Sequence, residues 1–171
     1  MAIEKKIKGV APQFGANVWL AENAVIAGDV VCGVDCTFWF GSVVRGDVNQ
    51  IRLGDKVNVQ DGAVLHVSYE TADLQIGSNV TIGHRAIVHG CHIEDNVLIG
   101  MGSIVMDHVK VGKNSIIAAG AVVLENTVIE PNSIYAGVPA KKVKDVEPGK
   151  NEEMIKRLAA NYPKYASWYE N

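Results

Sequence analysis

Nineteen apolar residues of this chain fall on one ladder with a spacing of six, and few folds can accept that spacing. The rungs run Leu20, Ile26, Cys32, Phe38, Val44, then Leu53, Val59, Leu65, then Ile76, Ile82, Val88. After a short step they resume at Ile93 and continue through Ile99, Val105, Val111, Ile117, Val123 and Ile129 to Tyr135. Four places after most rungs stands a small or branched residue, such as Ala24, Val30, Cys36, Ser42, Ala63, Ala86 or Ser103. A period of six is neither the 3.6 of a helix nor the alternation of an ordinary strand. It predicts an all-β chain, a parallel β-helix in which each hexad forms one side of a triangular coil and successive coils stack.

The ladder slips three times. Three extra residues separate Val44 from Leu53, five separate Leu65 from Ile76, and one is missing between Val88 and Ile93. The five-residue insert, Tyr69 to Asp73, is expected to leave the coil as a surface loop. Residues 1–17 read as a lead-in, 18–143 as the β-helix, and 144–171 as a linker and a helix packed along the prism wall. In that helix Asn151 is expected as the cap, and Met154, Leu158 and Tyr162 as the apolar face. Pro163 should end or kink it, with Tyr165, Trp168 and Tyr169 beyond.

The charge balance narrows the functions. Net charge is −3 with no run of Lys or Arg, which argues against a nucleic-acid surface. No stretch is long and apolar enough to span a membrane, and Met1-Ala-Ile-Glu-Lys-Lys lacks the apolar core of a signal peptide, so a cytoplasmic protein is expected. Cys32 and Cys36 occupy inward positions and read as core filling before they read as a redox or metal pair.

Dealing the rungs into three columns locates the chemistry. One column holds Ile26, Val44, Leu65, Val88, Val105 and Val123. The residue after each rung points outward, because alternate strand residues face opposite ways. On three consecutive coils those residues are Arg45, His66 and His89. Two imidazoles stacked about 4.8 Å apart can converge on one metal ion through bonds of roughly 2.0–2.1 Å. The alternative is a surface or interface pair with no metal; the stacking, the corner histidine His84 and the polar cluster beside them favour the metal. His84 follows Ile82 by two, at a corner of the prism, too far along the strand to reach an ion held by His89 of its own chain. If His84 is a ligand, a second copy supplies it, with the corner of one prism against the face of the next. His92 and His108 show no such partners and read as surface residues.

Three segments carry a family resemblance: Ser42-Val-Val-Arg-Gly-Asp47, Asn58-Val-Gln-Asp-Gly-Ala-Val-Leu-His66 and Gly83-His-Arg-Ala-Ile-Val-His-Gly90. They resemble the signature segments of γ-class carbonic anhydrases and their bacterial relatives, and the likeness extends to Tyr135-Ala-Gly-Val-Pro-Ala140. It implies a left-handed β-helix, against the usual crossover preference, and a homotrimer with three metal sites between subunits. His66 and His89 of one chain and His84 of the next would be the ligands. Zinc is the implied metal, with Fe2+ or Co2+ also suited to imidazole. Arg45, Asp47 and Asp61 match positions that form charged contacts across the interface. Gln60 matches a residue beside the metal-bound solvent, with Tyr135 expected as a pocket wall.

The implied reaction is reversible hydration of CO2 to bicarbonate by zinc-activated water. The long acidic loop of the best-known family member is missing here. Glu70, in the short insert, is the candidate replacement for its proton shuttle, and slow hydration is the expectation. The rival readings are a metal-dependent acyl-CoA thioesterase, a metal-free hexapeptide acyltransferase, and a non-catalytic trimeric scaffold.

Overall fold

In the computed structural model, which describes residues 2–169, the six-residue ladder is the interior of a parallel β-helix of about seven turns. Every rung from Ile26 to Tyr135 is buried, while Leu20, near the lower end, is half-buried. The inward small residues four places on, from Ala24 to Ala121, are fully enclosed as well. Each coil thus supplies three large side chains and three smaller ones, a combination that fills a narrow triangular section without voids.

Strand pairing fixes three columns. The first face stacks Ile26, Val44, Leu65, Val88, Val105 and Val123. The second stacks Leu20, Phe38, Val59, Ile82, Ile99, Ile117 and Tyr135. The third stacks Cys32, Leu53, Ile76, Ile93, Val111 and Ile129. Corners are turned by a residue in the left-handed region. After the third face these are Asn79, Asn96, Asn114 and Asn132, at φ between 55° and 60°. Their carboxamides bond one another up the corner at 3.1–3.2 Å. Asparagine tolerates this conformation better than most residues, and the ladder gives each side chain a partner.

The slips are absorbed locally. Strand Val43–Leu53 runs unbroken through its corner beside Val25–Cys32, and the register shifts between Gly28 and Val30. The insert after His66 is a tight turn closed by a bridge between Ser68 and Ala72. Ile3–Lys5 and Gln13–Phe14 pair in parallel with Val25–Ala27 and Val31–Cys32, so part of the lead-in extends the lower end of the sheet. At the upper end Ser133–Ala136 folds back antiparallel on Lys141–Asp145.

The helix, Lys150–Ala166, then descends the second face. Its cap is Gly149, at φ 89°, and not Asn151. Asn151 lies inside the first turn, where its buried amide donates to the Asn114 carbonyl at 3.1 Å. The fully buried positions are Asn151, Ile155, Ala159 and Ala166; Met154, Leu158 and Tyr162 flank them, half-buried. The expected apolar face is therefore one residue off, because small Ala159 allows the close approach that Leu158 would prevent. Pro163 does not end the helix, which continues to Ala166 and a 3-10 turn, Ser167–Tyr169. That turn brings Tyr169 against Trp19, Trp39 and Phe40 at 5.6–5.9 Å between ring centroids.

Candidate metal centre

His66 and His89 are register partners on adjacent first-face strands, Val64–His66 and Ile87–His89. Their ring centroids are 5.0 Å apart, and Nδ1 of His66 faces Nε2 of His89 at 2.9 Å. Each ring's other nitrogen meets a carboxylate. Nε2 of His66 lies 3.1 Å from Asp47, and Nδ1 of His89 is bonded to Asp107. Burial pushes both carboxyls up, but hydrogen bonds outweigh it: Arg45 and His66 hold Asp47 below the ordinary carboxylate range, and His89 and Ser68 do so for Asp107. Ionised carboxylates only accept, so the histidine nitrogens facing them carry the protons. Burial pushes His66 below the ordinary histidine value despite the pull of Asp47, which favours its neutral ring. Where both rings are neutral, the two nitrogens that face each other both present lone pairs, and a proton or a metal ion is what can join them.

Bare lone pairs at 2.9 Å repel unless a cation lies between or beside them. Tetrahedral bonds of roughly 2.0–2.1 Å would set them about 3.3 Å apart, a small adjustment. Carboxylates behind both rings are the usual support of metal-bound histidine. The donor set therefore fits a divalent ion of the zinc type. Within one chain it is incomplete: among the described residues no three His, Cys, Asp or Glu side chains converge on a metal position.

His84 is held in the same way on the neighbouring corner. Its Nδ1 lies 2.7 Å from Asp61, one coil below, and the ring is about half exposed. Asp61 and His84 each stand two places after a paired rung, Val59 and Ile82. The backbone N–H of His84 donates to the Gln60 side chain at 3.1 Å. Gln60 in turn donates to Asn58 at 3.1 Å and to the Tyr162 hydroxyl at 2.5 Å. Asn58 completes the chain by donating to Thr81 at 2.8 Å.

Several expectations change here. Gln60, expected to orient solvent, is 4% exposed, and its side chain hydrogen-bonds Asn58, Tyr162 and the backbone N–H of His84, which it holds in place. The helix covers it, which the hexad pattern could not reveal. Tyr135 is no pocket wall: it is the last core rung of the second face, four coils above Val59. The aromatic residue beside Gln60 is Tyr162. Within the chain Arg45 pairs with Asp47 and Asp61 with His84, which leaves the expected contacts across an interface as they were. Glu70 sits exposed at the tip of the insert with φ 55°, hydrogen-bonded to the Tyr69 phenol. His92 has a partner after all, Asp73 at 2.9 Å. Cys32, Cys36 and Cys91 are free, buried thiols in the core.

Asp107 and Ser68 were missed by sequence reasoning. Asp107 lies one coil above Gly90, and a Cβ on Gly90 would stand 2.5 Å from its carboxylate. The glycine directly after His89 was the available signal. It clears the space in which His89 meets Asp107.

The outer surface of the first face carries a second pattern. Val25, Val43, Val64, Ile87, Ile104 and Val122 stack on six consecutive coils beside the histidines. None is fully buried, and Ile87 is 39% exposed.

Comparisons with known proteins bear on the family and the fold. The profile of the family described as bacterial transferase hexapeptide (six repeats) matches residues 90–125. The chain is 44% identical to a carbonic anhydrase of Geobacillus kaustophilus, covering 95% of this chain and 88% of that one. It is 38% identical to gamma carbonic anhydrase 2, mitochondrial, of Arabidopsis thaliana, over 89% of this chain and 56% of that protein. A crystal structure of a hexapeptide transferase family protein from Anaplasma phagocytophilum matches with a TM-score of 0.91 at 35% identity, covering 98% of each chain. With its hexad solenoid, C-terminal helix and paired histidines, the chain belongs to the γ-class carbonic anhydrase-like family of hexapeptide-repeat proteins.

Proposed function

We propose that three copies assemble around shared divalent metal sites, each held by His66 and His89 of one chain and His84 of the next, and that these sites hydrate CO2 reversibly to bicarbonate. The observation that carries this reading is the pair of imidazole nitrogens facing each other at 2.9 Å, each ring backed by its own carboxylate. The apolar stripe beside them supports a second copy as its cover, and the outward, carboxylate-held ring of His84 supports that copy as the source of the third ligand. The names of the relatives support the reaction.

Bound zinc supplies Lewis acidity, bringing the pKa of water at its open position to roughly 7; iron or cobalt would suit the same ligands. The chain's own groups do the rest. Asp47, Asp107 and Asp61 fix which nitrogen of each ring is left bare. Gln60 and Tyr162 anchor the segment that carries His84. Proton exit is the weak step. Asp47 and Asp107 are engaged by histidines and held as poor bases, so Glu70 or a dissolved buffer must accept the proton.

A second reading, hydrolysis of a thioester at the same centre, draws on one observation. A cavity of about 380 Å³ opens beside His84, lined by Leu98, Met101, Ile116, Leu158 and Tyr162, and is far larger and more apolar than CO2 requires. Metal analysis followed by parallel CO2 hydration and acyl-CoA hydrolysis assays separates the two. The expected result is one metal per chain, with hydration that rises with the concentration of an imidazole-type buffer. Metal present without hydration in any buffer would move the assignment to thioesters. Absence of bound metal at neutral pH would end both.

A further inference from the structure

The corner that carries His84 has an irregularity that neither ligand geometry nor the core explains. Three places after the five second-face rungs from Phe38 to Ile117 the backbone turns through the left-handed region, at Gly41, Gly62, Arg85, Gly102 and Gly120. Four of the five are glycine, at φ 66–68°, and Arg85 holds φ 56°. Glycine is there for its backbone and not for lack of space: a Cβ at Gly102 or Gly120 would meet nothing within 4 Å. Lys56 and His108 show that longer side chains can occupy left-handed corners elsewhere in this fold. On the glycine corner only Arg85 does so, and it stands directly after His84.

The side chain of Arg85 is exposed and runs down over Gly62, where a Cβ would lie 3.4 Å from its Cγ. It forms no ion pair among the described residues. The carboxylates nearest the site already have partners: Asp61 holds His84, Asp47 holds His66 and Arg45, and Asp107 holds His89. A row of glycines makes a corner that another surface can approach closely. An arginine rising from it at the level of His84 would be enclosed on assembly, and an enclosed guanidinium requires an anion. Both candidate reactions make one of suitable shape. Bicarbonate and a carboxylate each present the planar pair of oxygens that a guanidinium binds through two parallel hydrogen bonds.

We propose that Arg85 binds the planar oxyanion formed at this centre, a role that rests on His84 being the third metal ligand. Its position in a glycine row then exchanges some backbone stability for a guanidinium at the mouth of the site.

The test uses full-length protein loaded with cobalt, whose visible spectrum reports anions entering the centre. Bicarbonate and acetate are titrated separately into the parent, Arg85→Gly and Arg85→Lys. The proposal expects anion affinity to fall roughly tenfold or more in Arg85→Gly and by less in Arg85→Lys, since an ammonium offers charge without the fork. Tighter binding of bicarbonate than of acetate would assign the anion to hydration, and the reverse to thioester cleavage. Arg85→Gly should also remain assembled and melt about 1–3 °C higher at equal chain concentration, because relief of the left-handed strain exceeds the added chain entropy. Anion affinity within twofold of the parent would overturn the proposal. So would a dissociated or lower-melting Arg85→Gly, which would make Arg85 an assembly anchor. A parent that binds no cobalt would instead overturn the metal reading, and this role with it.

Discussion

The first and second faces of the prism share a backbone and an interior, yet their outer surfaces meet different fates. On the second face the outward residues Thr37, Asn58, Gln60 and Thr81 are buried, because the chain's own helix lies over them. They are polar, and every buried polar side-chain atom among the described residues has a partner. On the first face the outward stripe from Val25 to Val122 is apolar, and among the described residues no helix lies over it as one does over the second face. The third face is different again: between Val31 and Val128 the corresponding positions are Arg52, Gln75, His92 and Lys110, side chains that water can solvate. A solenoid cannot hide an outer face by folding its coils differently, so each must be solvated, covered by a helix, or covered by another molecule. His66 and His89 lie on the face that the helix does not cover, the one that the proposed assembly would enclose.

The strongest way to break this comparison is to make the first face resemble the third. Ile87→Lys should convert the assembly to monomers at micromolar concentration, since an enclosed, unpaired ammonium costs several kcal/mol per interface. Gln75→Lys, which places the same charge on the third face, should leave the mass unchanged. Analytical ultracentrifugation of the two side by side decides the matter. Two equally assembled proteins would mean that the stripe is not an interface.

On the second face the comparison predicts loss of stability without loss of assembly. Ile155→Ala removes a fully buried side chain and should cost about 2–5 kcal/mol in chemical denaturation. Tyr162→Phe should cost roughly 1 kcal/mol, the net value of one hydrogen bond. Because Tyr162 reaches His84 through Gln60, it should also weaken metal retention against a chelator, which Ile155→Ala at matched stability should not. Equal metal retention in both variants would show that the helix only covers the face.

The smallest expected effect is on pH dependence. In the metal-free protein the folded pKa of His66 is below its unfolded value, so the unfolded chain binds more protons and stability falls as pH drops from about 6.5. Asp47 and Asp107 are also depressed, and their contribution, present above about pH 4, is lost on further acidification. Denaturation midpoints should therefore be flat near neutrality and decline in two stages. A midpoint that rises on acidification between pH 7 and 5 would contradict the neutral, carboxylate-backed ring.

Much of this could be read from the chain before its structure. The ladder named every core rung and the column that brings His66 beside His89, because a solenoid converts sequence spacing directly into position. The same register already stacked Asp61 beneath His84. What escaped reading depends on contacts the hexad does not encode. Tyr162 is 102 residues from Gln60, and only the docking of the helix joins them. The cap was misplaced for a related reason, since Asn151 is drawn inward to the Asn114 carbonyl while Gly149 supplies the turn. Tyr135 was expected as a pocket wall, although its place on the ladder puts it in the core.

The central claim, that each metal site is divided between two copies, can be tested by mixing two inactive proteins. His66→Ala keeps the corner and loses the face, and His84→Ala keeps the face and loses the corner. Each alone should assemble without stable metal. Unfolded together in equal amounts and refolded, they should assort at random, so that an intact face meets an intact corner at about one interface in four. Metal per chain, measured after removal of loosely bound ions, should then reach roughly a quarter of the parental value. Mixed assemblies that hold no more metal than either variant alone would contradict the claim, as would full metal occupancy in a parental protein that remains monomeric.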